Sequence, residues 1–113
     1  NRLFSYLDVS DLVPILEYFI ENEPRHKFYN IVPDKVYGLV ELAEFVRKIS
    51  KKEVPIQISQ EGNGLDYYGS NERLRQEMPD VSFTDMPRSI ERLYSYYERN
   101  KDTINYSCLL FDK

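Results

Sequence analysis

Short apolar runs alternate with helically spaced apolar stripes along this chain, and that alternation points to an α/β layering. Residues 4–9 (FSYLDV) read as a strand of aromatic and branched side chains. Ser10 is placed to cap the helix that follows, with Asp11 in its first turn and Pro14 where a missing N–H does little harm. Leu12, Val13, Ile15, Leu16, Phe19 and Ile20 make that helix's apolar face, and Asn22-Glu23-Pro24 ends it. Residues 27–32 (KFYNIV) read as a second strand, closed by the turn Pro33-Asp34-Lys35. Gly38 opens a helix with Leu39, Leu42, Ala43, Val46 and Ile49 on one side. Val54, Ile56 and Ile58 alternate with Pro55, Gln57 and Ser59, the pattern of a half-buried edge strand. After a loop over 60–69, Ser70 or Asn71 caps a short helix that Pro79 stops. Thr84 or Asp85 caps the last helix, whose Ile90, Leu93, Tyr94 and Tyr97 form one core-facing stripe. The expected fold is α/β: a small mixed sheet of three to four short strands with about four helices, in a single domain spanning 1–113 with a poorly patterned tail at 101–113.

Composition narrows the function classes. With 113 residues, 42% hydrophobic and 30% charged, the chain can bury a core without disulfides. No apolar stretch approaches the roughly 20 residues of a membrane span, and no targeting motif is visible. A net charge of −4 without a basic run weighs against nucleic acid. The single Cys108 cannot form an internal disulfide, which suits the cytoplasm. Ten Tyr and no Trp leave tyrosine as the residue able to pack an edge and offer a hydroxyl to a polar ligand.

Individual residues that invite chemistry have ordinary explanations. His26 stands alone, without the second His or Cys of a metal set, and reads as a solvated loop residue. One His and one Cys make no nucleophile arrangement. Gly62-Asn63-Gly64 lacks the immediately following helix that a phosphate cradle needs. Asn30 interrupts an apolar run and must pair with a neighbouring loop.

Four segments taken together resemble one family. Phe4-Ser5-Tyr6-Leu7-Asp8-Val9-Ser10-Asp11-Leu12 is similar to "R-D-F-x-x-V-x-D-L". Phe28-Tyr29-Asn30-Ile31-Val32, followed by Gly38-Leu39-Val40-Glu41-Leu42, is similar to "x-Y-N-V-G" and "S-x-x-E-L". Glu61-Gly62-Asn63 stands where "R-x-G-D" would, and Ser70-Asn71-Glu72-Arg73-Leu74 resembles "D-x-S-K-L", with Phe83-Thr84-Asp85 before the closing helix. The family is the extended short-chain dehydrogenase/reductases, the NAD-dependent sugar-nucleotide epimerases and dehydratases, and the resemblance is to their C-terminal substrate-binding domain. It implies a chain that lacks its dinucleotide-binding domain and is inactive alone. It implies NAD or NADP in the full-length protein, and two partners: a nucleotide sugar and the missing Rossmann domain. The same resemblance makes Tyr6, Asp8, Asn63, Tyr67 and Tyr68 candidate substrate contacts. The family's Tyr-x-x-x-Lys spacing recurs as Tyr97 and Lys101, but on a core stripe and a fraying helix end, so no catalytic residue is assigned. Phe4, Ser59 and Gln60 replace the arginines that grip pyrophosphate in the family, and neither Phe nor Gln supplies their bidentate charge. Two rival readings are a non-catalytic reductase-like sensor and an autonomous interaction module using Tyr94, Tyr96, Tyr97 and the Cys108-Leu109-Leu110-Phe111 tail.

Overall fold

The computed structural model describes residues 2–58, 62 and 64–109. Its first turn is set by Asp8. The Asp8 carboxylate accepts the Ser10 backbone N–H at 2.9 Å and the Ser10 hydroxyl at 2.8 Å, so α1 runs Val9–Glu21 with Asp8, not Ser10, as its cap. Pro14 consequently falls in the second turn and removes the bond that the Ser10 carbonyl would have accepted.

Before α1, β1 (Leu3–Phe4) pairs antiparallel with β2 (Tyr37–Gly38), Leu3 opposite Gly38 and Phe4 opposite Tyr37. Phe4 also bridges Tyr67 in parallel. Gly38 caps α2 (Leu39–Ser50) directly after β2. Two further helices, α3 (Glu72–Glu77) and α4 (Met86–Arg99), are followed by a 3-10 turn (Lys101–Thr103) and α5 (Tyr106–Leu109).

Among the described residues the architecture is therefore five helices and one two-stranded sheet, and the expected mixed sheet of three to four strands is overturned. Each misread strand fails for a stated reason. Residues 4–9 cannot continue as a strand because Asp8 turns Val9 into helix. In residues 27–32 side chain–backbone bonds stand in place of a ladder: the Val32 carbonyl accepts Asn71 Nδ2 at 3.0 Å, and Asn30 Nδ2 donates to the Ser70 carbonyl at 3.1 Å. That second bond is the loop pairing expected of Asn30. Beyond α2, Val54 and Ile58 are exposed and unpaired in a ladder, so the alternation there has no face to bury.

The core gathers Ile15 of α1, Leu74 of α3 and Val81, with Phe19, Tyr29, Ile31, Met78 and Phe83 packed around them. Away from it, α2 packs on α4 and on β2, and buried Tyr37 sits edge-on to Phe45 with ring centroids 6.0 Å apart. The expected α4 stripe is only half buried: Ile90 and Tyr94 turn inward while Leu93 and Tyr97 stay exposed. The radius of gyration, 17.0 Å, exceeds the about 13 Å of a compact chain this long. Among the described residues, no helix is long and apolar enough to cross a membrane.

Candidate functional site

The polar pairing around β1 decides which candidate side chains meet. The Leu3 N–H donates to Asp66 Oδ1 at 2.9 Å and the Leu3 carbonyl accepts the Tyr67 N–H at 2.9 Å, which fastens residues 66–67 alongside the strand. Tyr6 follows two residues later, half-buried and edge-on to Phe4 at 5.9 Å. Tyr67 and Tyr68 stand out from the adjoining segment, 79% and 59% exposed. Three of the five candidates thus lie on neighbouring backbone segments, with Tyr67 and Tyr68 open to solvent. Asn63 lies outside the described residues.

Asp8 does not join them. Its side chain is 6% exposed and one oxygen also accepts Arg92 Nη2 at 2.9 Å from α4. Burial by itself would raise its pKa. The neighbouring Ser89 hydroxyl, both Ser10 donors and the Arg92 charge more than reverse this and hold it at about 2. This carboxylate is occupied as a cap and an ion-pair partner. Asp11 is similarly engaged, accepting the Thr84 N–H at 2.7 Å and the Thr84 hydroxyl at 2.6 Å.

Two motif-like features lose their chemical reading. A Cβ on Gly64 would collide with the Arg2 side chain, so that glycine's backbone lies beneath Arg2, and the next helix begins only at Glu72. Such a loop does not fit a dinucleotide's pyrophosphate, which needs open amides at a helix start. Lys101 Nζ lies 2.9 Å from Glu98, whose bond to it pushes the ammonium's pKa upward. It is a surface ion pair following exposed Tyr97. His26 is exposed and edge-on to Tyr29 at 5.8 Å. Among the described residues no His, Cys, Asp or Glu group could hold a metal ion.

No family model matches this chain, and no curated protein or solved structure matches it.

Two features escaped the reading of the sequence. One is Glu77, which shares α3 with Leu74 and whose side chain is 5% exposed. Its Oε1 accepts the Tyr18 hydroxyl at 2.9 Å; its Oε2 accepts the Tyr29 hydroxyl at 2.7 Å and the Arg25 N–H at 3.1 Å. The only signal was spacing, since Glu77 follows Leu74 by three residues on one helix face. A cleft of about 320 Å³ lined by Pro14, Tyr18, Met78 and Val81 borders it. Both carboxylate oxygens already have hydroxyl donors, so Glu77 is a structural anchor. The Tyr29 hydroxyl bond, opposed by burial, lowers the Glu77 pKa below its ordinary 4.5. The sign follows: its stabilisation is present above pH 4.5 and is lost as pH falls through the lowered folded value. Glu77→Gln should lower Tm by several degrees near neutrality and flatten the acid limb of a Tm–pH profile; an unchanged acid limb refutes the assignment.

The other is a basic cluster, Arg47, Lys48, Lys51 and Lys52, around a concavity of about 850 Å³ at the end of α2. These four cations within residues 47–52 were legible in the sequence and contradict the reading that it has no basic run. Arg47 is held by Glu44 at 2.6 Å, and cations here complement the helix C-terminus.

Proposed function

We propose that this chain positions a nucleotide sugar for an NAD(P)-dependent epimerase, dehydratase or reductase, as the substrate-binding lobe, while hydride chemistry resides in a dinucleotide-binding domain of the same polypeptide. One observation carries the reading: the segments behind the family resemblance bond to one another. Asp11 accepts Thr84, Asn30 reaches Ser70 and Asn71 reaches Val32, so the first segment is tied to the 83–85 stretch before the closing helix, and the second to the fourth. Tyr67 and Tyr68 then offer ring faces and hydroxyls beside the strand that leads to Tyr6. That chemistry suits the apolar faces and hydroxyl rims of a sugar. Such a lobe contributes orientation, and the nicotinamide supplies the hydride. We assign the reaction to the cytoplasm, where a lone exposed thiol such as Cys108 stays reduced.

Because the chain has ten Tyr and no Trp, its own tyrosine fluorescence reports binding. Titration with UDP-, dTDP- and GDP-hexoses should give saturable quenching with one of them. Tyr67→Ala or Tyr68→Ala should weaken that binding roughly tenfold. Absence of saturable quenching by all three, or NAD-dependent turnover by this chain alone, refutes the reading. The interaction-module alternative draws on a different observation, the exposed cluster of Leu93, Tyr96 and Tyr97 on α4.

A further inference from the structure

The end of α2 carries more positive charge than its helix can use. Arg47 and Lys48 stand in its last turn, and Lys51 and Lys52 follow directly. The chain as a whole has 15 Lys and Arg against 19 Asp and Glu, so four cations within residues 47–52 reverse the sign locally. A helix C-terminus is equivalent to about half a negative charge, which a single cation satisfies. Arg47 is answered by Glu44. Lys52 acts across the helix pair on Glu98 of α4, whose pKa is lowered chiefly by its bond to Lys101 and also by Lys52. Lys48 and Lys51 are exposed and form no ion pair among the described residues.

Lys51 supplies an independent sign. It closes α2 at φ 55° and ψ 27°, the one non-glycine residue with positive φ among the described residues. Glycine takes that left-handed position without the crowding a Cβ meets, and is the ordinary choice at a helix end. Lys51 is exposed, so packing does not offset its strain. Strain of this kind gathers at ligand sites. Beside it lies the concavity of about 850 Å³, within the range of small-molecule sites, whose walls add Glu53 and the apolar Phe45, Val54 and Pro55 to the cations.

We infer that this concavity binds a small soluble ligand bearing two or more adjacent phosphate groups. Lysine ammoniums are compact point charges with rotatable donors, suited to phosphate oxygens that share no fixed plane. The guanidinium fork that would select a carboxylate is already held by Glu44. An acidic peptide would also need an apolar anchor, yet Phe45 is committed edge-on to Tyr37. A nucleic acid or an anionic membrane would extend past the cluster and press its remaining charge onto Glu44, Glu53 and an acidic chain. The 12 residues of α2, at about 1.5 Å each, set the cluster roughly 18 Å from β2, so the site is separate from the Tyr67 surface.

Isothermal titration calorimetry of the 113-residue chain in low salt is the test, with tripolyphosphate, pyrophosphate, orthophosphate and citrate as probes. Tripolyphosphate should bind saturably, with a dissociation constant on the order of 100 µM. Pyrophosphate should follow it, orthophosphate and citrate should be about tenfold weaker, and NaCl should loosen the complex by screening. Lys48→Gln and Lys51→Gly should each weaken tripolyphosphate binding roughly tenfold. Lys51→Gly should at the same time raise Tm, because it relieves the left-handed strain, and a lysine serving only the fold would not part these two readouts. Tyr67→Ala, and Arg88→Gln at an exposed site on α4, should leave the affinity unchanged. Absence of saturable heat with both polyphosphates overturns the proposal. So does binding that survives both lysine variants, citrate bound as tightly as tripolyphosphate, or an equal loss on Arg88→Gln. Co-sedimentation with phosphatidylinositol bisphosphate vesicles, by a chain indifferent to tripolyphosphate, would assign the cluster to a membrane surface and overturn it too.

Discussion

Leu74→Ala should destabilise the chain by about 3–4 kcal/mol, the largest effect of any single apolar truncation here. Leu74 is wholly buried at the meeting point of four segments: α1 through Ile15 and Phe19, the 29–31 stretch, its own α3, and the 78–83 stretch that leads into α4. Removing its isobutyl group forfeits transfer free energy and leaves a cavity that the surroundings fill only in part. The expected loss is a large share of the total stability of a domain this size. Few alternative contacts compensate, because the fully buried large side chains among the described residues are Ile15 and Leu74. Leu74→Met, which preserves volume, should stay under about 1.5 kcal/mol. Leu93→Ala, at an exposed site, should stay within about 0.5 kcal/mol. Urea unfolding reads all three: the midpoint should fall sharply for Leu74→Ala with the slope unchanged. A midpoint shift no larger than that of Leu93→Ala would mean that these four segments are not joined at this point.

The helices were legible because a helix is a local object. The stripes of α1, α2 and α4 and the stop at Pro79 depend on residues within a few positions of each other, and the helices form where those signals lie. A strand depends on a distant neighbour, and there the reading failed. Nothing local to residues 27–32 tells that Asn71 will claim the Val32 carbonyl from 39 positions away and leave no ladder to form. The same limit governed the site. That Tyr67 would lie beside Phe4 is a long-range bridge, invisible to periodicity. The duplicity of α1 was present in its spacing, yet a stripe covering most of a helix circumference reads as one wide face until the core shows which part it takes. Asp8 was legible as chemistry but ambiguous as to partner: a carboxylate two residues ahead of Ser10 could meet a ligand or the backbone, and the backbone was nearer.

Asp8 therefore separates structural from ligand chemistry by measurement. Asp8→Ala should destabilise by about 2 kcal/mol, since it removes the α1 cap and the carboxylate that accepts from Ser10 and pairs with Arg92. Asp8→Asn keeps an oxygen for the cap and loses only the charge, so about 1 kcal/mol is expected near neutral pH. The pH dependence gives the sharper test. The folded pKa, about 2, lies below the ordinary 3.8, so the charged form's stabilisation is complete above the ordinary value and disappears as pH falls through about 2. The stability gap between wild type and Asp8→Asn should hold from neutrality down to about pH 5, narrow below that, and close near pH 2. A gap independent of pH would mean that the charge contributes nothing and that the cap oxygen alone matters. Because the carboxylate is already engaged by Ser10 and Arg92, Asp8→Asn should also leave nucleotide-sugar affinity near wild type where Tyr67→Ala weakens it. A loss of affinity on Asp8→Asn as large as that on Tyr67→Ala, with the fold intact by circular dichroism, would return Asp8 to the ligand surface and require its side chain to turn away from the helix it caps.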